Sequence, residues 1–179
     1  LATAVLVCRI MKLPDPRKEG SGNPGATNVL RLGGKQAAAL TLVGDMLKGA
    51  FPVVIAHLVT DHPTILAATA VAAFVGHLYP VFFGFKGGKG VATAFGAVAA
   101  LVLPVALFMA AVWVLVVIVT RYVSLASMGA AVLAPLFALL FIREPAFILA
   151  LVVIAALVVY RHRANIERLR QGAEPEIDL

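Results

Sequence analysis

The chain has 179 residues, 61% of them hydrophobic and only 13% charged, with a formal net charge of +6. Its mean hydropathy is +0.98. A soluble domain carries about 45–50% apolar and about 25% charged residues. Those values exclude a soluble domain and point to a polytopic membrane protein, with one domain enough for residues 1–179. Cys8 is the only cysteine, which also excludes an intrachain disulfide.

Apolar blocks run over residues 1–11, 36–60, 63–83, 91–119, 122–142 and 145–160. The first is half the length of about 20 residues that a spanning helix needs. It is expected to be the second half of a truncated first span. A cleaved signal peptide fits less well, because no small-residue cleavage site precedes the basic loop that follows.

That loop contains SGNPGATNVLR at residues 21–31. Ser21, Asn23, Thr27 and Asn28 offer hydroxyl and amide hydrogen bonds, and Arg31 offers a planar fork suited to phosphate oxygens. Gly20, Gly22 and Gly25 leave the backbone free to wrap closely round a ligand. Within the next block, Asp45 and Lys48 lie three apart and are expected to pair, because isolated charges inside a membrane are costly.

A second glycine-rich loop, FKGGKGVAT, spans residues 85–93. Gly87, Gly88 and Gly90 surround Lys89, with Lys86 beside them. Val91 is expected to open a helix whose N-terminal amides favour an anion. The spacing is not that of a nucleotide-binding P-loop, since Gly84 and Gly88 are separated by three residues and Gly90 follows Lys89. Further on, Ser124 and Ser127 share one side of a helix. The tail HRANIERLRQGAE places His162 and Asn165 three apart on a common face. His57 and His62 fall at the far ends of spans, and Tyr79, Trp113 and Tyr160 suit interfacial or packing positions.

The block at 91–119 is long for one helix and short for two, with Pro104 near its middle. Read as two spans turning at Pro104, it puts Arg9, Lys12, Arg17, Lys18, Arg31, Lys35, Lys86, Lys89, Arg121, Arg161, Arg163, Arg168 and Arg170 on one side. Arg143 alone is outside and Lys48 lies within a span. Read as one span, the bias largely vanishes. The positive-inside rule therefore favours about seven transmembrane helices in an all-α bundle, with both glycine loops and the C-terminus at the cytoplasmic face.

Two glycine-rich cationic loops and a basic tail at one membrane face suit phosphate chemistry. On residues alone, a transporter for a phosphorylated metabolite and a non-catalytic anionic-lipid binder remain rivals. The motifs resemble one family closely. Residues 21–28 with Arg31, Gly76-His77 with Pro80 and residues 85–93, and His162-Arg163, Asn165-Ile166, Gly172 and Glu174 are similar to the three signature motifs of the bacterial acyl-phosphate:glycerol-3-phosphate acyltransferases (the PlsY family). The likeness is greatest to the proteobacterial branch and covers essentially the whole chain, in order.

The resemblance implies transfer of an acyl group from acyl phosphate to the sn-1 hydroxyl of glycerol 3-phosphate. The products are lysophosphatidate and phosphate, in the first acylation of phospholipid synthesis. Together with the residue chemistry, it assigns catalytic roles to Ser21, Arg31, Lys89, His162 and Asn165. Substrate contacts are expected from Gly22, Asn23, Gly25, Thr27, Asn28, Lys86, Gly87, Gly88, Gly90, Ser124 and Ser127. No metal, cofactor or nucleic acid is implied. The implied partners are membrane lipids and the enzyme that forms the acyl phosphate, at a bacterial inner membrane. The His-x-x-x-x-Asp pattern of the other glycerol-phosphate acyltransferases is missing: Phe82 stands five after His77 and Glu167 five after His162. His162 is thus open as general base or as a hydrogen-bonding positioner. The donor's phosphate is the alternative proton acceptor.

Overall fold

A computed structural model describes residues 2–177, which contain helices and loops and no strand. The order is α1 (Thr3–Ile10), α2 (Ala26–Val59), α3 (Pro63–Leu78), a 3-10 turn (Val81–Phe83), α4 (Val91–Leu101), α5 (Leu103–Thr120), α6 (Val123–Phe137), a π-helical turn (Ala138–Ile142), α7 (Pro145–Arg161) and α8 (Arg163–Arg170). Each apolar block of the sequence is helical, and both glycine loops lie between helices. Among the described residues, four helices are long and apolar enough to cross a membrane, α3 and α6 counted with the turns that follow them. A fifth span arises if α7 and α8, bent by 57°, are taken as one. The chain is a multi-pass helical membrane bundle.

The block at 91–119 splits into two helices, the 11-residue α4 and the longer α5, and of these only α5 is by itself long enough to span. The break falls at Val102 (φ −157°, ψ 90°), with Pro104 in the first turn of α5. The joint precedes the proline because proline is at home where a helix starts and its missing N–H costs nothing. A second break lies inside α2. Gly34 adopts φ 74° and ψ −172°, which a residue with a Cβ resists. The kink separates a short helical segment, 26–33, from a span over 35–59 of about 37 Å at 1.5 Å per residue.

Small residues bring α4 against α2. A Cβ at Gly49 would run into the Thr93 carbonyl, and one at Gly96 into the Met46 carbonyl. Backbone-to-backbone approach of this kind is how helices associate in lipid, where burying apolar surface gains little. α3 lies beside both, while α5, α6 and α7 complete the bundle. Phe74, Leu151 and Ile154 interlock there with Ala94, Ala106, Ala130 and Ala134. The outer faces carry exposed Leu47, Phe51 and Leu58 on α2 and Leu115 and Val119 on α5, as lipid-facing surfaces do. Against this apolar frame, buried Asn28, Asp45, His77, Thr93, His162 and Asn165 stand out.

Candidate active site

The first glycine loop is folded by its own side chain. Asn28, 1% exposed, accepts a hydrogen bond from the Ser21 N–H at 2.9 Å and donates to the Pro16 and Glu19 carbonyls at 2.9 and 3.0 Å. The amide thus closes the loop round itself and presents Ser21, Asn23, Gly25 and Thr27 to the interior. Asn28 thus supports the site wall through hydrogen bonds inside the loop, and it borders the cavity as well. Gly22 lies in the turn with φ +67° and is not part of the cavity wall.

The second loop is held from outside. The Gly87 N–H donates to the Leu78 carbonyl at 3.2 Å, and the Arg161 guanidinium donates to the Gly87 carbonyl at 2.7 Å. A Cβ at Gly87 would collide with the His77 and Leu78 carbonyls, and one at Gly88 would lie 2.5 Å from His77 Nε2 and 3.1 Å from the Pro24 carbonyl. These two glycines therefore allow close packing against α3 and the first loop, and neither is on the cavity wall. Lys86 is exposed and also lies off the cavity. Gly90 caps α4 at φ +80°, and a Cβ there would strike Phe74. Its neighbour Lys89 turns inward and donates from Nζ to Asn165 Oδ1 at 2.5 Å.

Asn165 links the second loop to the tail. Its Nδ2 donates to Glu174 Oε1 at 2.6 Å, and Arg168 Nε donates to Glu174 Oε2 at 2.8 Å. The Ile177 N–H bonds to the Arg121 carbonyl at 3.0 Å, drawing the tail over the start of α6. His162 is 2% exposed. Its Nδ1 lies 2.8 Å from the Val158 carbonyl. A carbonyl only accepts, so Nδ1 carries the proton and Nε2 is left as an acceptor. The backbone, rather than a carboxylate, orients this imidazole. The buried Ser124 hydroxyl lies near the Glu174 carboxylate. Ser127 donates to the Val123 carbonyl at 2.7 Å and accepts from Trp113 Nε1 at 3.2 Å.

These segments enclose a cavity of about 580 Å³. Its polar end is walled by Ser21, Asn23, Gly25, Thr27, Asn28, Arg31, Lys89, Gly90, Ser124, His162, Asn165, Arg168 and Glu174. Its apolar arm runs past Met46, Phe95, Met109, Ala110, Trp113 and Val114. Of the residues expected to be catalytic or to contact substrate, all but Gly22, Lys86, Gly87 and Gly88 are on this wall. Sequence reasoning gave no role to two supports, Arg161 on Gly87 and Glu174, named only within a motif, whose carboxylate joins Asn165 to Arg168. A buried acid beside a run of arginines was the available signal for the second. The predicted Asp45–Lys48 pair is present at 2.6 Å, and Asp45 reaches the cavity wall.

Electrostatics follow from this crowding. Burial pushes Lys89 down to about 8, with Arg168, Arg31 and Arg161 adding to the depression and Glu174 opposing it. Burial pushes the Glu174 carboxyl up, but the Ser124 hydroxyl, the Asn165 amide and Arg168 outweigh it and hold the group below its ordinary value. The cavity therefore holds cations that repel one another and await an anion. Such a site stabilises negative charge more than water does, because its donors are fixed in advance.

An integral-membrane helical bundle with a cationic, hydrogen-bonding pocket at one end of an apolar channel is a protein built for an amphiphilic phosphate. A sequence-family model described as "Glycerol-3-phosphate acyltransferase" matches residues 1–172. The chain belongs to that family. It is 52% identical to a glycerol-3-phosphate acyltransferase of Thioalkalivibrio sulfidiphilus, over 99% of this chain and 87% of the relative. The corresponding protein of Methylococcus capsulatus is 51% identical, over 99% and 89%. Among solved structures, PlsY (YgiH), an integral membrane glycerol 3-phosphate acyltransferase, matches in its glycerol 3-phosphate form with TM-score 0.92 and 44% identity, over 99% of this chain and 90% of that one. Its lysophosphatidic acid form matches with TM-score 0.90 and 42% identity, over 99% and 89%.

Proposed function

We propose that this chain acylates the sn-1 hydroxyl of glycerol 3-phosphate from acyl phosphate at a bacterial inner membrane. The observation that carries the reading is the two-ended cavity: a cationic pocket for phosphate continuous with an apolar arm for a fatty chain. Its family membership and the substrate and product named for the two PlsY structures support the acceptor and the product. The acyl-phosphate donor rests on the motif resemblance. The whole chain acts as one domain in this reading.

In the proposed reaction, Lys89 and Arg31 hold phosphate oxygens at the polar end, with the hydroxyl and amide groups of Ser21 and Asn165 beside them. The acyl chain lies in the arm between α2, α4 and α5. Those outer helices pack on α4 and not closely on each other, and Leu42 and Val114, 44% and 50% exposed, line the opening towards lipid. The neighbouring sn-2 hydroxyl donates to His162 Nε2, which holds glycerol 3-phosphate so that the sn-1 oxygen faces the acyl carbonyl carbon and its proton faces the donor's phosphate. A new carbon–oxygen bond forms, the bond from the carbonyl carbon to the phosphate oxygen breaks, and phosphate leaves carrying the hydroxyl proton. The donor is already activated, so positioning and charge stabilisation supply the catalysis. His162→Gln keeps a hydrogen-bonding group, and substantial turnover should survive at saturating glycerol 3-phosphate. A thousandfold collapse in turnover at unchanged KM would make His162 the base instead.

Purified protein given acyl phosphate and glycerol 3-phosphate should release equal amounts of lysophosphatidate and phosphate. Release of neither rejects the reading. The proposed topology has α1 to α7 crossing in turn, with motif loops and tail cytoplasmic, where an acyl-phosphate-forming enzyme delivers the donor. Cysteines placed at Lys86 and Gln171 should resist an impermeant thiol reagent in intact cells. Ready labelling of either reverses the orientation.

A further inference from the structure

One buried polar cluster has no part in the chemistry above. Asp45 on α2, His77 in the last turn of α3 and Thr93 in the first turn of α4 are 3%, 7% and 0% exposed. His77 Nδ1 lies 3.0 Å from Thr93 Oγ1 and 3.8 Å from Asp45 Oδ1, and Asp45 pairs with Lys48. Polar groups buried in a bundle are costly unless they are partnered, so this cluster has a function that apolar packing would not supply.

Its position indicates which. The opposite edge of the His77 ring faces Gly88: an added Cβ there would lie 2.5 Å from Nε2 and 3.3 Å from Cε1. The Pro24 carbonyl closes on Gly88 from the first loop. The ring is therefore a wedge. One side is fixed by the Thr93 hydroxyl, and the other meets the backbone one residue before Lys89. Thr93 cannot drift, because its own carbonyl is packed on Gly49 of α2. A ring held at one edge sets the height of whatever rests on the other.

We infer that His77 is a positioning residue, which with Thr93 as its anchor sets the level of the second glycine loop so that Lys89 reaches Asn165 and the phosphate. It acts through Lys89 and touches no reacting atom. His77 also borders the cavity, with Nδ1 engaged by Thr93 and its Nε2 edge turned to Gly88. The inference rests on the acyl-transfer reading for its assay. The wild-type reaction tests that reading separately, so the two can fail independently.

The test compares Thr93→Val, Thr93→Ser and His77→Ala in the full-length chain, measuring kcat, the KM of each substrate and the pH profile. Valine matches threonine in shape but lacks the hydroxyl, while serine restores it. Thr93→Val and His77→Ala should raise a substrate KM by about 10- to 100-fold, the scale of an ångström of misplacement, with kcat less affected. Thr93→Ser should recover most of the loss. A loosened loop also exposes Lys89 to water, so the alkaline limb of the profile should move upward in Thr93→Val and stay in place in Thr93→Ser. Equal damage from valine and serine, a fall in kcat at unchanged KM, or an unmoved limb in Thr93→Val overturns the proposal. If His77→Ala does not fold, the Thr93 pair decides the question alone.

Discussion

The two glycine loops look alike in sequence and are built on opposite plans. The first is closed by its own Asn28, whose carboxamide makes three hydrogen bonds within residues 16–28. The second has short backbone bonds within residues 78–87 but, among the described residues, no side-chain clasp of its own. It is held by Leu78 and His77 of α3, Arg161 of α7, Asn165 of α8 and the first loop. A self-closed loop fails locally and all at once. A loop suspended from several helices can be detuned from many places, each by a modest amount.

The largest test of that contrast is Lys89→Met. It removes the cation that the suspended loop exists to present. Loss of one preorganised donor typically lowers turnover by about 100- to 1,000-fold, and kcat/KM should fall on this scale with folding preserved. A decline under tenfold would move the phosphate contact elsewhere. Asn28→Ala should act differently, through stability. It strands the Ser21 N–H and two carbonyls, each costing about 1–3 kcal/mol where burial denies it water. The melting temperature in detergent and the activity should drop together. Unchanged melting would show that the first loop is not self-supporting.

A smaller effect is expected from Gly88→Ala. The added methyl meets His77 Nε2 and the Pro24 carbonyl, so the loop must lift, and KM should rise by about tenfold with melting nearly unaltered. A loss confined to kcat contradicts this account.

The smallest prediction concerns pH. Burial holds Lys89 down at about 8, below the ordinary lysine range. Phosphate needs the charged form, so affinity should be level below pH 8 and fall as pH rises through it, and binding above that point should take up protons. Lys89→Arg should abolish the limb, because guanidinium stays charged. Glu174 raises the Lys89 value, so Glu174→Gln should shift the limb to lower pH. A shift the other way would mean that the tail carboxylate does not face Lys89.

The same contrast explains what could be read from residues alone. The apolar blocks, the split near Pro104 and the Asp45–Lys48 pair depend on local composition and spacing, and they were legible. The inward residues of the first loop were legible too, since their chemistry and their fold are both local. The packing role of Gly87 and Gly88 was not legible, because a glycine freed for ligand approach and one freed for helix approach look the same in sequence. The helix approach shows only once α3 is in place. Arg161 looked like one more topology cation, and nothing local tied it to a carbonyl 74 residues away. The place of Glu174 likewise depends on the tail folding back to Asn165.

The brevity of α4 has a consequence for the lipid around it. Eleven residues make a rod of about 16 Å, roughly half the hydrocarbon thickness of about 30 Å. In the proposed topology, with its Val102 end outward, its Gly90 end and the cytoplasm-facing site beside it lie below the level of the headgroups. Water has to follow the phosphate down to meet it. Acyl transfer would then take place in a hydrated dimple in the bilayer, and the lysolipid formed there would have to rise about half a leaflet's depth before its headgroup joined its neighbours.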